Sequence, residues 1–78
     1  MVKDIPTDIK NVEIEKEPVE LYKILKFENM VGSGGEAKFV IAQGLVLVNN
    51  VKETRKRKKI FSGDVIEYNN ERIRIIVQ

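Results

Sequence analysis

SGGEAKFVIAQGLVLVNN, residues 33–50, changes its hydrophobic period halfway along. Ala37, Val40 and Ile41 recur at three- and four-residue spacing, which places them on one face of a helix. Ser33 with Glu36 three residues on matches a capping box, in which hydroxyl and carboxylate satisfy backbone N–H groups that a helix start leaves open. Gly44 stands where a left-handed cap is wanted, because it has no Cβ to clash there. The spacing predicts a helix over about 34–43. Beyond Gly44 the period falls to two. Leu45-Val46-Leu47-Val48 reads as a strand, and Asn49-Asn50 as a tight hairpin turn, since Asn tolerates positive φ better than most residues.

Upstream, residues 19–28 (VELYKILKFE) predict a first helix with Leu21, Ile24 and Leu25 as its buried stripe. Pro18 opens it, at a position where a missing N–H is tolerated. Residues 12–17 alternate around Val12 and Ile14 and read as a short edge strand. Residues 1–11, with Pro6 and scattered charge, read as a flexible N-terminal arm. Downstream, residues 51–53 start a return strand, Ile60-Phe61 follows the charged run, and Ser62-Gly63-Asp64 turns. Residues 65–68, Asn69-Asn70 and residues 72–77 repeat the hairpin pattern. The whole predicts one α+β domain over 12–78, with two helices packed on a small, twisted antiparallel sheet.

Composition narrows the function classes. A 78-residue chain with 42% hydrophobic residues makes one small domain, and such a domain buries only about 60% of its unfolded surface. With no His and no Cys, the usual general base, thiol nucleophile and most zinc sites are missing. Ser33 and Ser62 have no base to activate them, so no catalytic residue, metal or cofactor is expected. No apolar run approaches the 20 or so residues that span a bilayer. The first residues lack the apolar stretch of a signal peptide. Both points favour a cytoplasmic protein with no membrane partner.

The net charge of +2 hides an asymmetry. Residues 1–31 hold five Lys/Arg against seven Asp/Glu, and residues 32–78 hold nine against five. Five of those nine are consecutive: Arg55-Lys56-Arg57-Lys58-Lys59. Such a run cannot be buried without partners, so it faces solvent or a polyanion. Nucleic acid would release counterions along it. A solvated loop that keeps a sheet edge soluble is the plainer alternative, and a nuclear import signal a third.

The segments Leu21-x-x-Ile24-Leu25, Ser33-x-x-Glu36-Ala37-Lys38-x-x-Ile41-x-x-Gly44-x-Val46-x-Val48-Asn49 and Ile60-Phe61-Ser62-Gly63-Asp64-Val65-Ile66, taken in this order, resemble the S4 RNA-binding domain. The resemblance covers about residues 18–68. The pair Gly34-Gly35 and the basic run are similar to the small stand-alone S4-like proteins of bacteria, the YaaA/YbcJ-like group. One departure is Gly34, where the wider family often carries arginine. The resemblance implies the αL arrangement of two helices and a small sheet. It also implies binding of structured RNA, such as rRNA or tRNA. One small basic surface needs no dimer, so a monomer is expected.

On that footing the candidate RNA-binding residues are Ser33, Gly34, Gly35, Lys38, Phe39, Arg55, Lys56, Arg57, Lys58 and Lys59. The glycine turn either lets a phosphate approach the helix start or serves only the backbone angles of a stop and start. Lys38 matches a position that is usually basic in the family. Phe39 lies off the inner stripe beside Lys38, as a stacking ring would, unless the N-terminal strand covers it. Tyr22, Phe27, Phe61 and Tyr68 read as packing residues, and Lys23 and Lys26 as ordinary solvent residues. Arg72 and Arg74 alternate with Ile73 and Ile75 on one sheet face, solvated or adding to the cationic surface. The alternatives are a protein-interaction module or a DNA-binding module that uses the same basic run.

Overall fold

Fourteen buried apolar side chains form a single cluster, and they come from both helices, from the strands, and from Val31 and Val46 in the connecting segments. The computed structural model describes residues 9–78. Its strands are β1 Lys10–Ile14, β2 Val19–Glu20, β3 Leu47–Val48, β4 Val51–Lys52, β5 Lys59–Ile60, β6 Val65–Tyr68 and β7 Glu71–Val77, and its helices are α1 Leu21–Phe27 and α2 Gly34–Ala42. Five strands form one sheet in the order β1-β7-β6-β3-β4, while β2 and β5 pair separately. Val12 faces Ile75, and Ile66 faces both Val48 and Ile73. This apolar row is covered by Leu21, Ile24 and Leu25 of α1 and by Ala37, Val40 and Ile41 of α2. The layered α+β arrangement is the one predicted.

The asparagine turns form as read. Asn49 and Asn50 have φ of 53° and 68°, and Asn69 and Asn70 have 54° and 67°. Positive φ at both central residues is the type I′ geometry that matches strand twist. Gly44 closes α2 in the left-handed region, with φ of 77°.

Three expectations change. The sheet is mixed, because β1 runs parallel to β7. Hairpin-linked strands must be antiparallel, but the whole domain separates β1 from β7, so no turn fixes their relative direction. β1 does lie at the sheet edge. It begins at Lys10 and takes in Asn11, which pair with Ile73 and Arg74. Two residues of the expected arm are therefore strand, and residues 1–8 of that arm lie outside the described residues. Finally, α1 starts at Leu21 and not after Pro18. Val19 and Glu20 are extended and pair with Ile60 and Lys59, so cross-strand pairing overrides the helical period at that end.

Candidate nucleic-acid interface

The late start of α1 determines where the basic run sits. Glu20 is the N-cap residue but supplies no side-chain hydrogen bond. Two of the open N–H groups of the first turn are met from outside. Leu21 N donates to the Lys58 carbonyl at 2.9 Å, and Tyr22 N to the Lys56 carbonyl at 3.1 Å. Lys58 N donates to the Arg55 carbonyl at 3.1 Å, closing the turn between them. The backbone of the run is thus fixed to the start of α1, which leaves its side chains free to project. Arg55, Lys56, Arg57 and Lys59 are exposed and Lys58 is half-buried.

The five cations are not equivalent. Glu53 accepts from Arg55 Nε at 2.9 Å, from Arg55 Nη2 at 3.2 Å and from the Arg55 backbone N at 2.9 Å. This hydrogen bonding holds the Glu53 carboxyl below its ordinary pKa and raises that of Arg55. Arg57 Nη1 lies 3.7 Å from Glu20 Oε2, and Glu20 Oε1 lies 3.7 Å from Lys23 Nζ. Lys56, Lys58 and Lys59 make no ion pair among the described residues. Lys59 lines a shallow hollow with Lys16, Glu20 and Lys23.

At the other end of α1 lies the start of α2. Ser33 Oγ accepts from Glu36 N at 3.1 Å, the expected half of the capping box. The Glu36 carboxylate reaches one residue further than expected and accepts from Gly32 N at 2.8 Å. Neither Gly34 nor Gly35 has positive φ. A Cβ at Gly34 would come no closer than 4.0 Å to Lys26 Cδ, and one at Gly35 no closer than 3.9 Å to Ser33 Oγ. The fold itself therefore does not require glycine at either position, and the dihedral explanation for the pair fails.

Between these ends α1 and α2 share a cationic border. Lys38 Nζ of α2 lies 4.8 Å from the centroid of the Tyr22 ring, and Arg57 Cζ lies 5.9 Å from it. Lys26, one turn beyond Tyr22 on α1, runs beside Gly34. The structure thus brings Lys38, Arg57 and the Gly34 turn onto one side of the helix pair. Phe39 is 61% exposed, so the N-terminal strand does not cover it. It lies about 100° around the helix from Lys38.

Two aromatic assignments are corrected. Phe27 and Phe61 are not packing residues but are 65% and 46% exposed. Phe61 directly follows the core residue Ile60 and turns outward, and Phe27 lies two positions beyond Leu25, off the buried stripe of α1. Tyr22 and Tyr68 do pack against the core, each partly buried. Tyr22 is also the ring on which two elements converge. Sequence reading missed that role, together with those of Lys26 and Glu20. The available signal was the i, i+4 spacing of Tyr22 and Lys26 beside the buried stripe. Arg72 is paired with Glu67 at 3.3 Å, and Arg74 is exposed. Because Ile73 and Ile75 face the helices, both arginines belong to the opposite sheet face.

Among the described residues no cluster of His, Cys, Asp or Glu could hold a metal ion, and no helix is long and apolar enough to cross a membrane.

The family model of the S4 domain matches residues 12–76. YbcJ of Escherichia coli (strain K12) is 40% identical over 58 residues, which cover 74% of this chain and 83% of YbcJ. Probable ribosome maturation protein RlbA of Bacillus subtilis (strain 168) is 36% identical over 56 residues, covering 72% of this chain and 79% of RlbA. The solution structure of YbcJ aligns with a TM-score of 0.68 at 34% identity, over 97% of this chain and 96% of YbcJ, and is described as revealing an αL motif involved in RNA-binding. The 30S ribosomal protein S4e of Thermoplasma acidophilum aligns with a TM-score of 0.64 at 30% identity, over 77% of this chain and 32% of S4e.

Proposed function

The chain belongs to the S4 domain family, and from that premise we propose that it binds structured RNA, such as rRNA, through phosphate and shape contacts. The carrying observation is the basic run fixed by its own carbonyls to the start of α1, beside Lys38 of α2. Cations held on a rigid frame lose less freedom on meeting a phosphate than cations on a loose loop. RNA binding by YbcJ's αL motif and the ribosome-related name of RlbA point the same way. We assign the contacts to Ser33, Gly34, Gly35, Lys38, Phe39 and the run Arg55, Lys56, Arg57, Lys58 and Lys59. Gly34 and Gly35 offer a helix start open to a phosphate. Phe39 offers a ring for a base outside the phosphate track.

The protein works by binding and not by catalysis, as a monomer in the cytoplasm. One cationic border needs no second copy, and a sequence without His or Cys favours no reaction.

Filter binding of a structured rRNA hairpin over a salt series tests this. If about five phosphates are neutralised, log affinity falls against log salt with a slope of roughly −3.5 to −4.5. A slope near zero would remove the phosphate-driven site. Duplex DNA competing equally at matched phosphate would make the protein a general polyanion binder. Stronger competition by an acidic peptide would make it a protein-interaction module.

A further inference from the structure

We propose that Tyr22, with Lys38 and Arg57, forms a subsite for one unpaired nucleobase together with its flanking phosphates. This rests on the RNA-binding reading and deepens it, from recognition of a phosphate surface to selection of RNA that offers an unstacked base.

Tyr22 sits off the buried stripe of α1, whose members Leu21, Ile24 and Leu25 are at most 2% exposed. Tyr22 is half-buried and packs against the core. Its backbone N–H donates to the Lys56 carbonyl at 3.1 Å, which ties this residue to the loop that presents Arg57. The Leu21 and Tyr22 N–H groups at this helix start are already occupied, which leaves the ring, with the two cations beside it, as the group free to change partners.

Two cations reach that ring from separate elements, at 4.8 Å from α2 and 5.9 Å from the loop. Among the described residues these are the two cation–ring contacts, and none involves Phe39. Both cations are exchangeable. Lys38 has no carboxylate partner among the described residues, and Arg57 has one only at 3.7 Å. An aromatic face holding two weakly committed cations matches what a splayed-out nucleotide presents, a planar π surface bordered by a phosphate on either side. The base takes the ring face, and Lys38 and Arg57 move outward onto the phosphates. A continuous duplex offers the phosphates without the base. The subsite therefore takes a loop or bulge nucleotide, with little preference for its identity, since every base has a π face.

The full chain carries two tyrosines and no tryptophan, so tyrosine emission reports the site. Tyr68→Phe leaves Tyr22 as the sole tyrosine. Its emission is expected to be quenched by a hairpin carrying one bulged nucleotide and not by a fully paired duplex of equal length. Tyr22→Leu is expected to weaken bulged-hairpin binding about tenfold, the scale of one lost base stack, with duplex affinity within about twofold, and Tyr22→Phe to keep both. Unquenched emission, or an equal loss on both RNAs, overturns the subsite. The quenching measurement decides the question even where Tyr22→Leu fails to fold. Should the unsubstituted chain bind neither RNA, the RNA-binding reading falls and this subsite falls with it. Binding of both RNAs without quenching overturns the subsite alone.

Discussion

Glu20 lies between two cations of the proposed surface, 3.7 Å from Lys23 Nζ and 3.7 Å from Arg57 Nη1. Both separations exceed hydrogen-bond length, and exposed pairs of this kind hold their partners weakly. The carboxylate occupies ground to which a phosphate would be drawn, and an arriving phosphate must displace it. Glu20→Gln keeps the shape and removes the charge. We expect it to raise RNA affinity about two- to fivefold, the scale of a surface ion pair. The salt slope should steepen by about 0.7–0.9, as for one more phosphate engaged. A lower affinity in filter binding would mean that Glu20 positions Arg57 and does not compete for it. Arg55 is the contrasting case. Three hydrogen bonds tie it to Glu53, whose carboxyl stays ionised well below neutral pH. Of the five cations in the run, Arg55 is the one most committed to the protein itself.

Among the secondary-structure elements, the asparagine hairpins separate local from tertiary control. Asn49 does two jobs. Its backbone takes φ of 53°, while its side chain donates to Asp64 Oδ1 at 3.0 Å and accepts from Val65 N at 2.9 Å. Asn50 needs only the positive φ, 68°. Asn50→Gly should therefore be neutral or slightly stabilising, since glycine is preferred at that turn position. Asn49→Gly should cost about 1–2 kcal/mol for the two lost hydrogen bonds, lowering the melting temperature by about 5–10 °C. Equal melting temperatures for the two variants would show that the side-chain bracket contributes nothing. The Asn turns, Gly44 and the period of α2 were legible in the sequence because their causes are local: dihedral preference, a cap, a repeating face. The start of α1 was not. Val19 and Glu20 fit a helix as well as a strand, and Ile60 and Lys59, forty residues away, decide the matter by pairing with them. The parallel β1 was hidden for the same reason, as no local turn records its direction.

Across the whole molecule, the sequence disclosed that cations are concentrated but not which way they face. A contiguous run reads as one patch, yet the fold pairs Arg55 with Glu53, turns Arg57 toward Tyr22 and sets Lys59 in the hollow with Lys23. Lys38 joins Arg57 only because α2 crosses beside α1, a tertiary fact with no signature in the local pattern. The arginines of β7 remained ambiguous until the burial of Ile73 and Ile75 put them on the far side of the sheet from the helices. That division gives the molecule a proposed binding side and a back. The smallest dimension of the domain is 22 Å, more than two screening lengths at physiological salt, where the length is about 8 Å. A charge on the back is therefore almost invisible to RNA docked on the helices. Lys38→Glu and Lys56→Glu should each weaken RNA binding at 0.15 M salt and reduce the salt slope by about 1. Arg74→Glu, which changes the net charge by the same amount, should leave affinity within about twofold and the slope unchanged. Filter binding of the three variants against one rRNA hairpin makes the comparison. Equal weakening by Arg74→Glu would mean that RNA wraps both faces, or that net charge alone governs binding, and the helix-side interface would then have to be abandoned.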